Sequence, residues 1–578
     1  MLLFESLPNE ILIEVFYLIC PSDLFKSLFN LNSRLNSLIC ALRFHLLLLS
    51  YRKKKFDYLC ETIIPKISKN HVVSFKFQDE DDRFRKHSTL QLLIHIEEFT
   101  QLKSLTICAL VSSNIINLIS KLGKFKCLTN LSLTFTHQRI QFIPRLGNDV
   151  ETDTKKICKM IVWKELRTLK HCQLSFPHVM CFQTTMTAPI TLEYLKIRHC
   201  NINEMMALLK HVPKLKRFSV TIYTHEEQCP EYNLPSLQYL SHFTLKSRRI
   251  SYEQTEYILR HMPQLKKFVF SGNSLQFVNG NMWERLIVQF LPLLQSFEFS
   301  VCVRYSGENP NLNELLLSFK TVFWSGHRWF ITLDYYPFER YENLFIYSIP
   351  CKISSMHLKM PYDLQTLTTS TIQSCTTTIA RQYPNVTYLQ INGNNEYDDY
   401  RLFSEKITKL INISTVKILT FYDVHSRSDF KSLLLGMTSL HSLHLKYDLV
   451  LNITNQFDDQ TLCSYLAESI TDLRLQHVDS IDPKLLKKFP NIFRNIRYLS
   501  LSLTSNTSIY IILSLLLRKM HKLKCLAISS DEIAPFCSIT FKNWFSNYIQ
   551  LNLLQGDVEV DDEDDSRLFL LFSGLAHL

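Results

Sequence analysis

The sequence predicts an α/β fold: a long solenoid of strand-plus-helix repeats behind a small all-helical N-terminal unit. Three observations carry this. A short apolar spacing, Φ-x-x-Φ-x-Φ with Φ apolar, recurs along most of the 578 residues. The first fifty residues instead place apolar side chains at helical spacing. Hydrophobic residues make up 46% and charged residues 20%, enough to bury a large core and too few charges for a disordered chain.

Composition also removes several functions. Only 10 glycines occur, and no two are spaced as GxGxxG or GxxxxGK[ST], so glycine-rich phosphate cradles are excluded as motifs. The net charge of +11 is a mild excess over this length and does not suggest a dedicated nucleic-acid domain. The 16 cysteines form no CxxC pair, and no basic, apolar leader opens the chain, so reduced thiols in a cytoplasmic or nuclear protein are expected. The longest apolar runs, at 44–49 and 509–517, are well below the roughly 20 residues needed to cross a bilayer. No membrane, nucleic-acid or cofactor role is expected.

The opening reads Leu7-Pro8-Asn9-Glu10-Ile11-Leu12, and Ile11, Leu12, Val15, Phe16 and Ile19 continue on one helical face. Pro21-Ser22-Asp23 starts a second helix with Leu24, Phe25 and Leu28, and Asn32-Ser33 a third with Leu35, Leu38 and Ile39. Three short helices are marginal alone and need a partner surface or the rest of the chain. The order L-P-x-E-I-L-x-x-V-F, then P-x-D-L, resembles the F-box motif over about 45 residues. The third helix departs from it: Leu31-Asn32-Ser33-Arg34-Leu35 stands where the family shows a Trp-containing pattern. The resemblance implies an F-box-like domain over residues 1–48 that docks a Skp-type adaptor of a cullin–RING ligase through Leu7, Pro8, Ile11, Leu12, Val15, Phe16, Leu24 and Leu28. The plain alternative is a helical cap for the array. A basic linker helix is expected over 49–70, with Arg52-Lys53-Lys54-Lys55 a solvated face, a nuclear signal or a phosphate contact.

Beyond it the spacing repeats at Val72, Leu102, Leu128, Leu166, Leu192, Leu215, Leu237, Leu265, Leu294, Ile353, Val386, Val416, Leu440, Ile470, Ile496 and Leu523. With one unseen copy near residue 324, the 451 residues from Val72 to Leu523 make 16 intervals of about 28, inside the range of roughly 20–29 for leucine-rich repeats. Cys200, Asn273, Cys302 and Asn394 fall where such repeats turn a polar or thiol side chain inward. Helix-like segments at 205–211, 252–261 and 430–435 among others precede strands, and Pro213, Pro263, Pro292, Pro384 and Pro490 recur just before strands, where they end helices. The chain thus resembles a leucine-rich repeat solenoid over 71–555, which implies a horseshoe. A run of separate α/β domains would not hold one spacing for so long, and all-helical arrays would not show period-2 segments such as Tyr388–Ile391. The remainder, 556–578, pairs an acidic tail, Asp557–Asp565, expected to be solvated, with an apolar cap at 568–572.

Catalytic patterns are missing. His441 and His444 are three apart on a strand and point to opposite faces, His225-Glu226-Glu227 lacks a second histidine, and no GxSxG occurs. The two resemblances together imply a non-enzymatic substrate-recognition adaptor of an SCF-type ubiquitin ligase; a leucine-rich scaffold acting without a ligase is the alternative. The target would be an acidic or phosphorylated protein segment. Lys170, Tyr194, Lys196, Arg198, Arg217 and Lys267 are expected to line the concave face and receive it, although the basic excess there could simply mirror the chain's overall charge.

Overall fold

The computed structural model describes residues 4–48, 62–78, 96–109, 121–135, 166, 168–180, 191–223, 234–247, 249–305, 311–336, 342–349, 355–359, 365–369, 383, 385–393, 407–408, 411–422, 430–478, 483–503, 509–520, 522–523, 525–530, 543–544, 556–560 and 567–572. The chain divides into two compact units, Met1–Trp329 and Phe330–Leu578.

The first unit opens on three helices, α1 (Asn9–Leu18), α2 (Pro21–Ser27) and α3 (Ser33–Ala41). Pro21 at the first position of α2 uses its fixed φ and missing N–H where neither costs anything. The Asn32 side chain caps α3 by accepting from the Leu35 amide at 2.8 Å. Leu12, Phe16, Leu24, Leu35 and Ile39 form the small core. Arg34 ties α3 to the start of α1, donating to the Leu7 carbonyl at 2.6 Å and to Asn9 Oδ1 at 2.9 Å. Helical spacing then stops. Phe44 and Leu46 are buried while His45 and Leu47 are exposed, the period-2 pattern of a strand. This is β1 (Phe44–Leu48), which pairs in parallel with β2 (Val72–Gln78), so the last part of the expected helical domain 1–48 is sheet. Of the expected linker helix, residues 49–61 lie outside the described residues, and Ile64–Lys66 and Lys69–His71 are single 3₁₀ turns.

Eight further strands continue the parallel sheet in chain order: β3 (Ser104–Ala109), β4 (Asn130–Phe135), β5 (His171–Met180), β6 (Tyr194–Cys200), β7 (Arg217–Ile222), β8 (His242–Ser247), β9 (Lys267–Gly272) and β10 (Ser296–Tyr305). Successive side chains alternate between a buried face and the opposite face, as in β7, where Phe218, Val220 and Ile222 are buried. Because the strands are in register, equivalent residues stack. Phe218, Phe243, Phe268 and Phe297 form a ladder with ring centroids 5.6, 5.7 and 5.8 Å apart, slightly more than the ~4.8 Å between strands. Helices α4 (Ile202–Leu209), α5 (Tyr252–Arg260), α6 (Gly280–Phe290), α7 (Leu312–Leu317) and α8 (Val322–Gly326) complete the repeats. A capping box between Ser251 and Gln254 starts α5. Trp283 of α6 wedges against Phe268, Phe270, Phe297 and Phe299, and its indole donates to the Phe277 carbonyl at 3.0 Å. Gly280 permits a close approach here: a Cβ would lie 2.3 Å from the Ser318 carbonyl oxygen.

The second unit begins differently. Strands β11 (Ile331–Tyr336), β12 (Glu342–Ser348), β13 (Ser355–Lys359) and β14 (Gln365–Thr368) follow one another, and β11 pairs antiparallel with both β12 and β14. The copy expected near 324 is therefore not a parallel repeat: 322–326 is helix α8 and the next strand runs antiparallel. Asp334 of β11 is buried, with the Tyr347 hydroxyl donating to Oδ2 at 2.9 Å and the Tyr383 hydroxyl donating to the same oxygen. Parallel pairing then resumes from β13 through β15 (Tyr388–Asn392), β16 (Ile418–Tyr422), β17 (Ser442–Lys446), β18 (Asp472–Val478), β19 (Tyr498–Leu503) and β20 (Cys525–Ser530). Its helices are α9 (Phe430–Gly436), α10 (Tyr447–Ile453), α11 (Gln460–Ser469), α12 (Pro483–Ile492) and α13 (Ile509–Lys519). Pro490 lies inside α12 rather than after it. The tail expected to be solvated instead starts with a strand, β21 (Gly556–Val560). It pairs antiparallel with β22 (Arg567–Phe572), which in turn pairs with β20. Residues 561–565 lie outside the described residues.

Candidate functional site

On a strand, every second side chain leaves the core, so the parallel register arranges the non-core residues of the first unit into straight rows. The first row reads Ser104, Asn130, His171, Tyr194, Arg217, His242, Lys267 and Ser296 from β3 to β10. The second reads Thr106, Ser132, Gln173, Lys196, Ser219, Thr244, Val269 and Glu298, and the third includes Ser175, Arg198, Thr221, Lys246 and Ser271. The face has two halves. From β3 to β5 it is hydroxyl and amide with one imidazole, His171, around an open cavity of about 550 Å³ that reaches Tyr194 and Arg217. From β6 to β9 it is cationic.

Five of the six residues expected there, Tyr194, Lys196, Arg198, Arg217 and Lys267, do share this face. Lys170 does not. It precedes β5, in register with Glu193 and Lys216, and its backbone carbonyl accepts from the Glu193 and Tyr194 amides. The repeat it was assigned to starts at Leu169, not Leu166. Leu166 belongs to a preceding turn, with the Leu169 amide donating to its carbonyl, and Cys172 takes the core position that a leucine holds elsewhere. The same three-residue slip affects the repeat at Leu237, which truly starts at Leu240, and it hid Lys246 and His242. Placing apolar residues by alternation rather than by leucine identity would have found both.

Charge pairing separates the cations. Glu193 bridges Lys216 at 2.7 Å and Lys170 at 3.9 Å, and the hydrogen bond from Lys216, ahead of the nearby positive charges, holds its carboxyl below the usual range. Lys267 is paired with Glu298 at 2.6 Å. Among the described residues, Lys196, Arg198, Arg217 and Lys246 form no ion pair. Burial, then Arg217, Lys267 and Lys266, keeps the His242 imidazole below its ordinary value. Burial pushes the Cys172 thiol up to about 12, so it is a protonated core side chain and not a nucleophile at neutral pH.

The inward turn position holds for one residue of the set. Cys200 is buried, its thiol donating to the Asn201 carbonyl at 3.2 Å, while Asn273 and Cys302 are exposed and Asn394 lies outside the described residues. The head residues divide too. Leu12, Phe16 and Leu24, expected at the adaptor surface, are core side chains and cannot touch a partner. Pro8 and Ile11 are exposed, and Leu7, Val15 and Leu28 are half-buried. Sequence spacing could not tell the two apolar faces of α1 apart, because both carry large side chains. Leu18, at the end of α1, is 86% exposed. Among the described residues no cluster of His, Cys, Asp or Glu could hold a metal ion, and no helix is long and apolar enough to cross a membrane.

No protein-family model matches the chain, and no curated protein does. Among solved structures, it is similar to an internalin of Listeria monocytogenes, at 12% identity over 76% of this chain and 82% of that one, with a TM-score of 0.21. It is also similar to a leucine-rich repeat protein of Leptospira interrogans, at 12% identity over 86% and 97% of the two chains, with a TM-score of 0.20. Superpositions that loose carry no argument; the repeat reading rests on the parallel register and on the leucine spacing.

Proposed function

We propose that the chain is a non-catalytic recognition adaptor. Its head docks a Skp-type adaptor of a cullin–RING ubiquitin ligase, and the cationic sheet face of the first unit captures an acidic segment of the protein to be modified. The function follows from holding the target near a charged conjugating enzyme, which turns a bimolecular transfer into a nearly intramolecular one. No catalytic group is needed from this chain. The setting would be cytoplasm or nucleus.

The observation that carries the docking half is the outer face of α1. Pro8, Ile11, Val15 and Leu18 fall at i, i+3, i+7 and i+10, a single helical stripe turned about 100° round the axis from the Leu12–Phe16 core face. Ile11 is 44% and Leu18 86% exposed, a cost that a helix on a free surface gains nothing from. Double replacement, Ile11→Glu with Leu18→Glu, leaves the head's own core intact. Burying each side chain is worth about 1.5–3 kcal/mol, so titration calorimetry against a purified Skp-type adaptor should show affinity falling at least about 100-fold. Unchanged affinity, or no binding by the parent chain, would remove the ligase reading and leave a scaffold acting alone. The third helix favours that second reading, since Arg34 is engaged within the head and no Trp is present there.

A further inference from the structure

The cations of the first unit are not scattered. Arg217 on β7 and Lys267 on β9, the latter shared with Glu298, stand in one row with the neutral, hydrogen-bonding imidazole of His242 between them on β8. Arg198 and Lys246 stand two rows away on β6 and β8, with Thr221 between them. Four residues separate the rows along a strand, about 13 Å at ~3.3 Å per residue. The row between them carries Ser219 and Thr244, short side chains that leave a floor. We propose that this trough receives an acidic α-helix laid across the strands, with carboxylates on both of its flanks; the proposal rests on the interaction-face reading above.

Three dimensions support a helix over an extended segment. A helix is roughly 10–12 Å across with its side chains, so it spans the two cation rows at once. An extended chain is about as wide as one strand spacing, ~4.8 Å, and meets only one of them. Along the trough, acidic residues at i, i+3 and i+7 rise by about 4.5 and 10.5 Å. Three adjacent strands lie at about 0, 4.8 and 9.6 Å, whereas alternate residues of an extended chain advance ~6.6 Å and fall out of step. The floor is charged at its two ends, with Ser219, Thr244 and the apolar Val269 between them. Lys196 closes it on β6 and Glu298 on β10. A helix with its C-terminus over Lys196 and its N-terminus toward Glu298 sets its dipole along that gradient. From β6 to β10 is about 19 Å at ~4.8 Å per strand, room for roughly 13 helical residues.

The experiment uses the full-length chain and a fluorescein-labelled 14-residue alanine-based peptide with glutamates on two flanks. The control has the same charge with two central alanines replaced by proline. Fluorescence anisotropy should give at least tenfold tighter binding for the helical peptide. Arg217→Glu and Lys246→Glu, one from each row, should each weaken it several-fold. Ser219→Trp, which fills the floor without changing any charge, should weaken it at least tenfold while circular dichroism stays unchanged. Equal binding of both peptides would overturn the helix and keep an acidic extended partner. Tighter binding of a single-stranded RNA of the same charge would replace the peptide by nucleic acid. Binding of neither peptide would overturn the acidic-partner reading itself.

Discussion

Trp283→Ala should lower the stability of the Met1–Trp329 unit by about 3–5 kcal/mol, the usual cost of removing a fully buried tryptophan. The indole touches two levels of the phenylalanine stack, Phe268 and Phe270 on β9 and Phe297 and Phe299 on β10, and holds the Phe277 carbonyl. Its loss opens a cavity and leaves that carbonyl without its donor. In a stack of repeats, damage spreads first to neighbours. Amide exchange should therefore rise in β8–β10 and α5–α7, while β15–β20 keep their protection. Uniform loss along the chain would mean that the whole molecule is one cooperative globule and that the repeat description is wrong. Phe218→Leu, at a quieter level of the same ladder, should cost much less.

The second large effect is on pH. His444 of β17 has Ser442 Oγ 3.1 Å from Nε2 and Thr420 Oγ1 3.3 Å from Nδ1. Burial, then the Arg474 charge on the adjacent strand, lowers its pKa to about 3. The neutral ring serves both hydroxyls, one as donor and one as acceptor; the imidazolium cannot accept. The folded pKa lies below the unfolded one, so the unfolded chain binds the proton more readily. The contribution is fully present above about pH 6.5 and is lost as pH falls toward 3, amounting to about 3 kcal/mol by pH 4. Denaturant midpoints between pH 4 and 7 should show this slope, and His444→Gln should flatten it while keeping a donor and an acceptor at the site. A parallel slope in parent and variant would place the pH dependence elsewhere.

Much of the architecture was readable because the leucine spacing is a direct consequence of strand geometry. A residue that must face the core on every second position leaves its mark whatever its neighbours do, and the segments around Leu102, Leu128, Leu192, Leu215 and Leu265 all became core strands. The helices at Tyr252 and Phe430 carried their own apolar face and formed where that face indicated. The slips occurred where a turn happened to contain a leucine three residues too early, at Leu166 and Leu237. One-letter identity cannot separate a turn leucine from a strand leucine, whereas backbone hydrogen bonds can.

The candidate face was legible only in part. That Lys196, Arg198 and Arg217 leave the core follows from alternation alone. That Arg198 lines up with Lys246, or that Glu193 and Glu298 pair with three of the nearby lysines, depends on register between strands about 25 residues apart. Likewise, α1 declared itself a helix with two apolar faces, and only packing against α3 decided that Leu12 and Phe16 turn inward and Ile11 and Leu18 outward. The antiparallel start of the second unit left no trace in the leucine count, since its strands alternate like the others and direction is not written in apolar spacing. The sequence by itself determined the periodicity, the head-then-array order and the sign of the charge. Tertiary structure decided which cations remain unpaired and how far apart they stand, because both are distances between residues that the chain brings together only when its strands pair.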